Sequence, residues 1–315
     1  MKSRFLGALG ALSLFLAPGL ASAEYPERPV TIIVPWSAGG ATDLVARTIE
    51  PVLSEKLGAT MVVSNIAGAA GTIGASEAAT AKPDGYTIFF TPQGVLTVQP
   101  QLRQVPYSLD NFTAIGRASS AAYMSMVTQD SEYGSMEELM AATKADPGKI
   151  AYATTGIGTL PHLAVAALEQ HLGVKVKQVP YKAAAEVGKA VLGGESQVMT
   201  EQVQSAEQFG LRPLGCWGAQ ACAYYPDVPL MKDLGIETVV EVSMGFYAPA
   251  GTPEEVVNKL SSALEQAMSD PELLAALEKQ KITAAYLPPA DFDATMRTEV
   301  VNNRKVLEAV GLLAK

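Results

Sequence analysis

Two glycine-bearing stretches carry the residue types needed to hold an anion through backbone groups. In the first, Trp36-Ser37-Ala38-Gly39-Gly40-Ala41-Thr42, a β-branched run from Thr31 to Val34 precedes the glycines. Leu44, Ile49, Val52 and Leu53 then recur at roughly helical spacing. A helix starting near Thr42 leaves its first N–H groups without internal partners at the positive end of its dipole, which favours a carboxylate or phosphate. An ordinary strand-to-helix turn, with Thr42 or Asp43 as the cap, accounts for the same residues. The second stretch, Thr154-Thr155-Gly156-Ile157-Gly158-Thr159-Leu160-Pro161-His162, has the same design, with Pro161 suited to a first helical position. Thr42, Thr155 and Thr159 would add hydroxyl hydrogen bonds, and Trp36 would line the pocket with its ring.

Catalytic chemistry is poorly represented. There is no Gly-x-Ser-x-Gly elbow, no Gly-x-x-x-x-Gly-Lys-Ser/Thr phosphate loop and no His-Glu-x-x-His helix. Gly156-Ile157-Gly158 runs into Pro161, and Gly68-Ala69-Ala70-Gly71 lacks the first spacing of a dinucleotide fingerprint. Ser37 and His162 would make a nucleophile and base across a cleft, but no residue marks itself as the third, orienting member. No catalytic residue and no cofactor is therefore expected. His162 and His171 are the only histidines and share no ligand spacing with Cys216 and Cys222, so no metal is expected either. The two cysteines are read equally well as a disulfide or as two small unpaired hydrophobes, because a loop this short must bend sharply to close.

The elements that position these stretches alternate. Met61–Ser64 reads as a second strand before a glycine-rich turn, and Tyr86–Phe90 as a third, ending at Thr91-Pro92-Gln93-Gly94. Such alternation implies a parallel sheet with ligand loops at the carboxyl ends of its strands. Beyond Asn111 the pattern restarts, with short strands at Ala114–Ile115 and Met124–Thr128 and a helix opened by Ser135-Met136-Glu137-Glu138. Strands at Ile150–Ala153, Val174–Val179, Gln197–Thr200, Arg212–Trp217 and Thr238–Ser243 follow. Thr252-Pro253 opens a long amphipathic helix, and two further helices end the chain. Met1–Ala23 reads as a secretory signal peptide: Lys2 and Arg4 precede a broken apolar run that ends in Ala21-Ser22-Ala23. The chain carries 23 basic and 32 acidic side chains; without Lys2 and Arg4 the balance is 21 against 32, or −11. That argues against nucleic acid as a partner, yet it does not forbid an anion held by local N–H groups. The mature length lies where single cores stop growing, so two lobes are expected.

A series of short motifs in order spans nearly the whole mature chain: Tyr25-Pro26-Glu27-Arg28-Pro29, Val34-Pro35-Trp36-Ser37-Ala38-Gly39-Gly40, Lys82-Pro83-Asp84-Gly85-Tyr86-Thr87 and Pro147-Gly148-Lys149 come first. Gly156-Ile157-Gly158-Thr159 with His162-Leu163, Val179-Pro180-Tyr181-Lys182, Pro226-Asp227-Val228-Pro229 and Ala248-Pro249-Ala250-Gly251-Thr252-Pro253 complete it. Together they resemble the extracytoplasmic, Bug-type substrate-binding receptors of tripartite tricarboxylate transporters. The resemblance implies an α/β two-lobe periplasmic-binding-protein clamshell, type II-like, each lobe a mainly parallel sheet flanked by helices. It implies a monomeric periplasmic receptor that closes on a small carboxylate and delivers it to membrane permease subunits; a receptor that presents its ligand to a signalling sensor would need the same clamshell. The implied carboxylate cradle is Trp36, Ser37, Ala38, Gly39, Gly40, Ala41 and Thr42 with Thr155, Gly156, Gly158 and Thr159. Lobe 1 is expected to comprise 24–123 and 246–315, and lobe 2 to comprise 124–245, joined by two crossing strands.

The distal end of the ligand is expected to meet Gln93, Gly94, Tyr181, Lys182 and Gln197. Lys182 is the natural partner of a second carboxylate, unless it is solvated or tied to Glu186. Departures from the family pattern bear on ligand choice: Asn65-Ile66-Ala67-Gly68 replaces a usual Asn-Arg-Pro-Gly, Tyr181-Lys182-Ala183-Ala184 lacks the usual glycine after the lysine, and Ala221 stands where an arginine is common. Gln197 stands where many members carry an aspartate. Loss of that charge tilts the expectation away from an amino acid and toward a di- or tricarboxylate or an aromatic acid.

Overall fold

The structure, a computed structural model, describes residues 25–309 and 311–313. The signal-peptide reading of 1–23 therefore lies outside the described residues. The chain opens with strand β1 (Val30–Val34), helix α1 (Ala41–Leu57), β2 (Met61–Asn65), α2 (Thr72–Thr80) and β3 (Thr87–Pro92). Two one-turn helices, α3 (Gly94–Thr97) and α4 (Gln99–Leu102), lead to the long strand β4 (Phe112–Val127). Helix α5 (Met136–Ala145), β5 (Ala151–Thr154), α6 (Leu160–Leu172), β6 (Lys177–Pro180), α7 (Ala184–Leu192), β7 (Val198–Gln202), α8 (Gln204–Phe209) and β8 (Arg212–Cys216) follow. Strand β9 (Glu241–Pro249), α9 (Glu254–Met268), α10 (Pro271–Lys279), β10 (Ala284–Leu287) and α11 (Pro289–Ala309) complete the order.

Helix α1 illustrates how the local sequence specifies an element. Val45, Ala46, Ile49, Leu53 and Leu57 recur on one face and are buried. Gly58 ends the helix in the left-handed region, and its N–H bonds the carbonyls of Ser54 and Glu55. Helix α5 starts as expected: the Ser135 hydroxyl accepts from the Glu138 N–H at 3.2 Å. At α9 the cap differs, because the Thr252 hydroxyl donates to the Pro249 carbonyl and Pro253 takes the cap position.

The strands form one continuous sheet in the order β2-β1-β3-β9-β4-β7-β5-β6, with β8 and β10 also paired to β4. Each half has the expected parallel core, β2-β1-β3 and β6-β5-β7. Antiparallel pairs join them: β3 with β9, β9 with β4, and β4 with β7. The two short strands expected at Ala114–Ile115 and Met124–Thr128 are one strand of 16 residues. Phe112–Ala122 of β4 pairs with β9, and Tyr123–Met126 pairs with β7, so a single strand passes from one lobe into the other. Its Ser119-Ser120-Ala121-Ala122 segment has weak strand propensity, and the ladder to β9 holds it extended.

An aromatic cluster sits at the first-lobe side of this crossing, with ring centroids 4.5 Å apart for Phe90 and Phe246 and 5.2 Å for Tyr247 and Phe292. Helix α11 packs on β4 and α3, tied by Asn303 Nδ2 donating to Thr97 Oγ1 at 3.0 Å. Cys216 and Cys222 form a disulfide, with Cα atoms 6.4 Å apart, which resolves the two readings of that pair. No helix among the described residues is long and apolar enough to cross a membrane.

Candidate functional site

Helices α1 and α6 begin on opposite sides of one cavity. Gly40, Ala41 and Thr42 line one wall, and Thr159, Leu160 and Pro161 line the facing one. Both cap residues, Gly40 and Thr159, are extended and neither helix start has a side-chain cap. First-turn N–H groups are therefore left to a ligand. Trp36 sits under the first loop, 8% exposed, and lines the cavity as well as the core. Its indole N–H is buried with no hydrogen-bond partner. An unpaired buried donor costs free energy, and a ligand oxygen would relieve that cost.

The two loops are held by the same device. Gly39 N–H donates to Asp43 Oδ2 at 2.9 Å, and Gly158 N–H donates to His162 Nδ1 at 2.8 Å; each acceptor lies four residues on, in the first helical turn. Burial works against the Asp43 charge, but hydrogen bonds from Gly39, Arg47 and Asn65 outweigh it and bring the carboxyl below its usual range. Burial lowers the pKa of His162, consistent with a neutral ring that accepts at Nδ1. Asn65 also donates to the Trp36 carbonyl at 2.9 Å and so fixes the indole side of the loop.

These bonds correct part of the expected cradle. The Gly39 and Gly158 N–H groups are already engaged by their own helices, and the Gly40 N–H faces the Ser37 carbonyl at 3.4 Å. Ser37, Ala38 and Gly39 curl outward and do not line the cavity, whereas Trp36, Gly40, Ala41, Thr42, Thr155 and Thr159 do. Gly158 packs against α4: its carbonyl accepts from Gln99 Nε2 at 2.7 Å, and a Cβ there would meet Leu102 Cδ1 at 1.8 Å. Gly94 lines the cavity as expected, and a Cβ there would meet Leu160 Cγ at 3.3 Å.

Four expected distal residues, Gln93, Gln197, Tyr181 and Lys182, lie elsewhere. Gln93 turns away to the edge of β9, where it accepts from the Ser243 N–H and donates to the Glu241 carbonyl and to Glu299. That buried backbone N–H needs an acceptor, and Gln93 supplies it. Gln197 sits before β7, at the end of the strand opposite the cavity, bonded to Ala151 N–H at 2.9 Å and to the Gly194 carbonyl. Lys182 lies with Tyr181 and Gly156 in a separate depression beside Arg103, and the contact to Glu186 comes from the Lys182 backbone N–H at 3.1 Å.

Several lining residues were not foreseen. Val95 and Gln99 come from α3 and α4 respectively, Tyr123 from β4, Ala183 and Ala184 from the start of α7, and Glu201 and Gln202 from the end of β7. Glu201 is 3% exposed, and burial pushes its pKa up to about 7. Among the described residues that line this cavity none is lysine, arginine or histidine.

The halves meet across the cleft. Arg103 Nη2 donates to the Ile157 carbonyl at 3.1 Å, Gln208 Nε2 to the Gly39 carbonyl at 2.8 Å, and Lys281 pairs with Glu207 beside Tyr225.

Residues 45–312 match the model described as the tripartite tricarboxylate transporter family receptor. A UPF0065 protein in the gbd 5′ region of Cupriavidus necator is 31% identical over 99% of this chain and 96% of its own. The solved periplasmic binding protein BugD is 31% identical, with a TM-score of 0.86 over 92% of this chain and 100% of that one. An R. palustris protein solved with adipate is 25% identical, with a TM-score of 0.86 over 91% and 99% of the two chains.

Proposed function

The chain belongs to the tripartite tricarboxylate transporter receptor family, and on that footing we propose that it captures a small carboxylate between its lobes and hands it to the permease subunits of such a transporter. The observation that carries the reading is the facing pair of uncapped helix starts, α1 and α6, on the walls of one cavity without a basic side chain. Two dipole ends and a free indole N–H supply the positive potential that a carboxylate needs, without a buried cation that would be costly in the unliganded form. A carboxylate therefore docks on Ala41, Thr42 and Leu160 N–H groups, the Thr42 and Thr155 hydroxyls and Trp36 Nε1, whereas the Thr159 hydroxyl already donates to the Gly156 carbonyl at 2.8 Å.

Lobe 1 comprises 24–123 and 246–315, and lobe 2 comprises 124–245, with the hinge where β4 and β9 cross. Closure traps the ligand, and the Gln208–Gly39 and Gln99–Gly158 contacts hold the closed state. The receptor works as a periplasmic monomer, exported through residues 1–23. Adipate in the R. palustris relative supports a small organic acid as the class of ligand. The test is a thermal-shift screen of the mature protein across mono-, di- and tricarboxylates, aromatic acids and amino acids. A ligand that binds only the folded form raises Tm, by an amount equivalent to about 2.7 kcal/mol at one hundred times Kd. If no acid at millimolar concentration raises Tm, the reading fails.

A further inference from the structure

The polar groups around the cavity separate into two chemically opposite sets. One comprises the donors just described. The other lies on β7 and β4, where Glu201, Gln202 and Tyr123 line the same space. Glu201 is buried, opposite Met124 in the strand register, so β4 offers it no polar partner at that position. One carboxylate oxygen accepts from the neighbouring Gln202 N–H at 2.9 Å, and the Gln202 side chain gives a further hydrogen bond. Gln202 is in turn held by Gln204, whose Nε2 donates to Gln202 Oε1 at 2.9 Å. No cation answers the carboxylate among the residues lining the cavity. A carboxylate kept out of water without a counter-ion is expensive, and a position with a purely structural role would not need one.

We propose that Glu201 reads the far end of the ligand, and that this receptor selects a small carboxylate that also carries an amine. The proposal rests on the receptor reading above and sharpens it. The helix starts and Trp36 take the ligand carboxylate, and Glu201 accepts a charge-assisted hydrogen bond from the ligand ammonium. The pair neutralises both buried charges on closure. A ligand with a second carboxylate at that end would meet Glu201 with like charge, which disfavours dicarboxylates lacking an amine. The expected role of Gln197 in ligand choice thus passes to Glu201, four residues on.

The experiment compares matched pairs by calorimetry on the mature protein at pH 8: succinate with L-aspartate, glutarate with L-glutamate, and butyrate with 4-aminobutyrate. In at least one pair the amine-bearing acid is expected to bind at least tenfold more tightly, and Glu201→Gln should reduce that preference to within about threefold. The wild type supplies a second readout that needs no variant. Glu201, with Tyr123 and Gln202 as its neighbours, is a carboxylate at pH 8 and largely neutral at pH 5, so the amine preference should fall between these values. Equal or tighter binding of the unsubstituted acid in every pair overturns the inference and leaves the receptor reading intact. A preference that survives Glu201→Gln or does not change with pH also overturns it. Binding by none of the six acids overturns it, and failure of the wider acid screen would take the receptor reading with it.

Discussion

Replacing Glu201 by glutamine keeps the side-chain shape and the ability to accept from the Gln202 N–H, and it removes the titratable proton. The wild-type carboxyl has its usual value of 4.5 when unfolded and about 7 in the folded, unliganded protein. The folded form therefore binds protons more tightly, and wild-type stability falls as pH rises from 4.5 through about 7. Below 4.5 the group is neutral in both states and costs nothing. At about 1.4 kcal/mol per pH unit over that interval, the charge costs about 3 kcal/mol once the pH exceeds 7. Glu201→Gln should then be more stable than wild type by up to about 3 kcal/mol at pH 8 and indistinguishable from it at pH 4. Urea unfolding of dialysed protein at pH 4, 6 and 8, with the disulfide intact, measures this as a growing separation of midpoints. At a slope of about 3 kcal/mol per molar, the pH 8 separation is roughly 1 M. A difference that is the same at pH 4 and pH 8, or a variant less stable than wild type at pH 8, would show that the buried Glu201 charge carries no such cost.

Gly40→Val tests the cradle with little structural cost, since the added Cβ meets nothing nearer than the Ser37 carbonyl at 3.5 Å and φ is already −86°. Carboxylate binding measured by calorimetry should weaken at least tenfold while stability changes by about 1 kcal/mol or less; unchanged affinity would remove the first loop from the site. Replacing both Cys216 and Cys222 by alanine releases a loop of sequence separation 6 and should cost about 2 kcal/mol in equilibrium unfolding. Equal stability of the double variant and the wild type would show that the loop is ordered without the bond.

Much of the site was legible because it depends on backbone, and glycines after a β-branched run announce where backbone is exposed. Gly40, Ala41 and Thr42 lie at the start of α1, and Thr155 and Thr159 before α6, where the sequence puts them. Side-chain direction was not legible. Gln93 stands at the right strand end, yet the unpaired Ser243 N–H of the neighbouring strand draws its amide away from the cavity. Gln197 stands at the amino end of β7 in the sequence and in the structure alike, so it lies away from the carboxyl-end loops that meet the cavity. Glu201 escapes the sequence reading because the expected strand stops at Thr200, one residue short of it. All five residues of β7 are buried, so alternation gave no signal. The length of β4 likewise depended on its partners, which no local pattern reveals.

The matched bonds from Gly39 to Asp43 and from Gly158 to His162 have a consequence for the entropy of capture. Each loop is braced by its own helix before any ligand arrives, so little conformational freedom remains to be lost at the moment of binding. The ordering cost was met during folding, and the free energy of contact goes instead into closing the lobes. The two braces differ in their response to acid. An aspartate below its usual range keeps accepting as the medium acidifies, whereas an imidazole that gains a proton at Nδ1 becomes a donor and releases the glycine it held. The cradle can thus loosen on the α6 side alone, with the α1 half still set to receive.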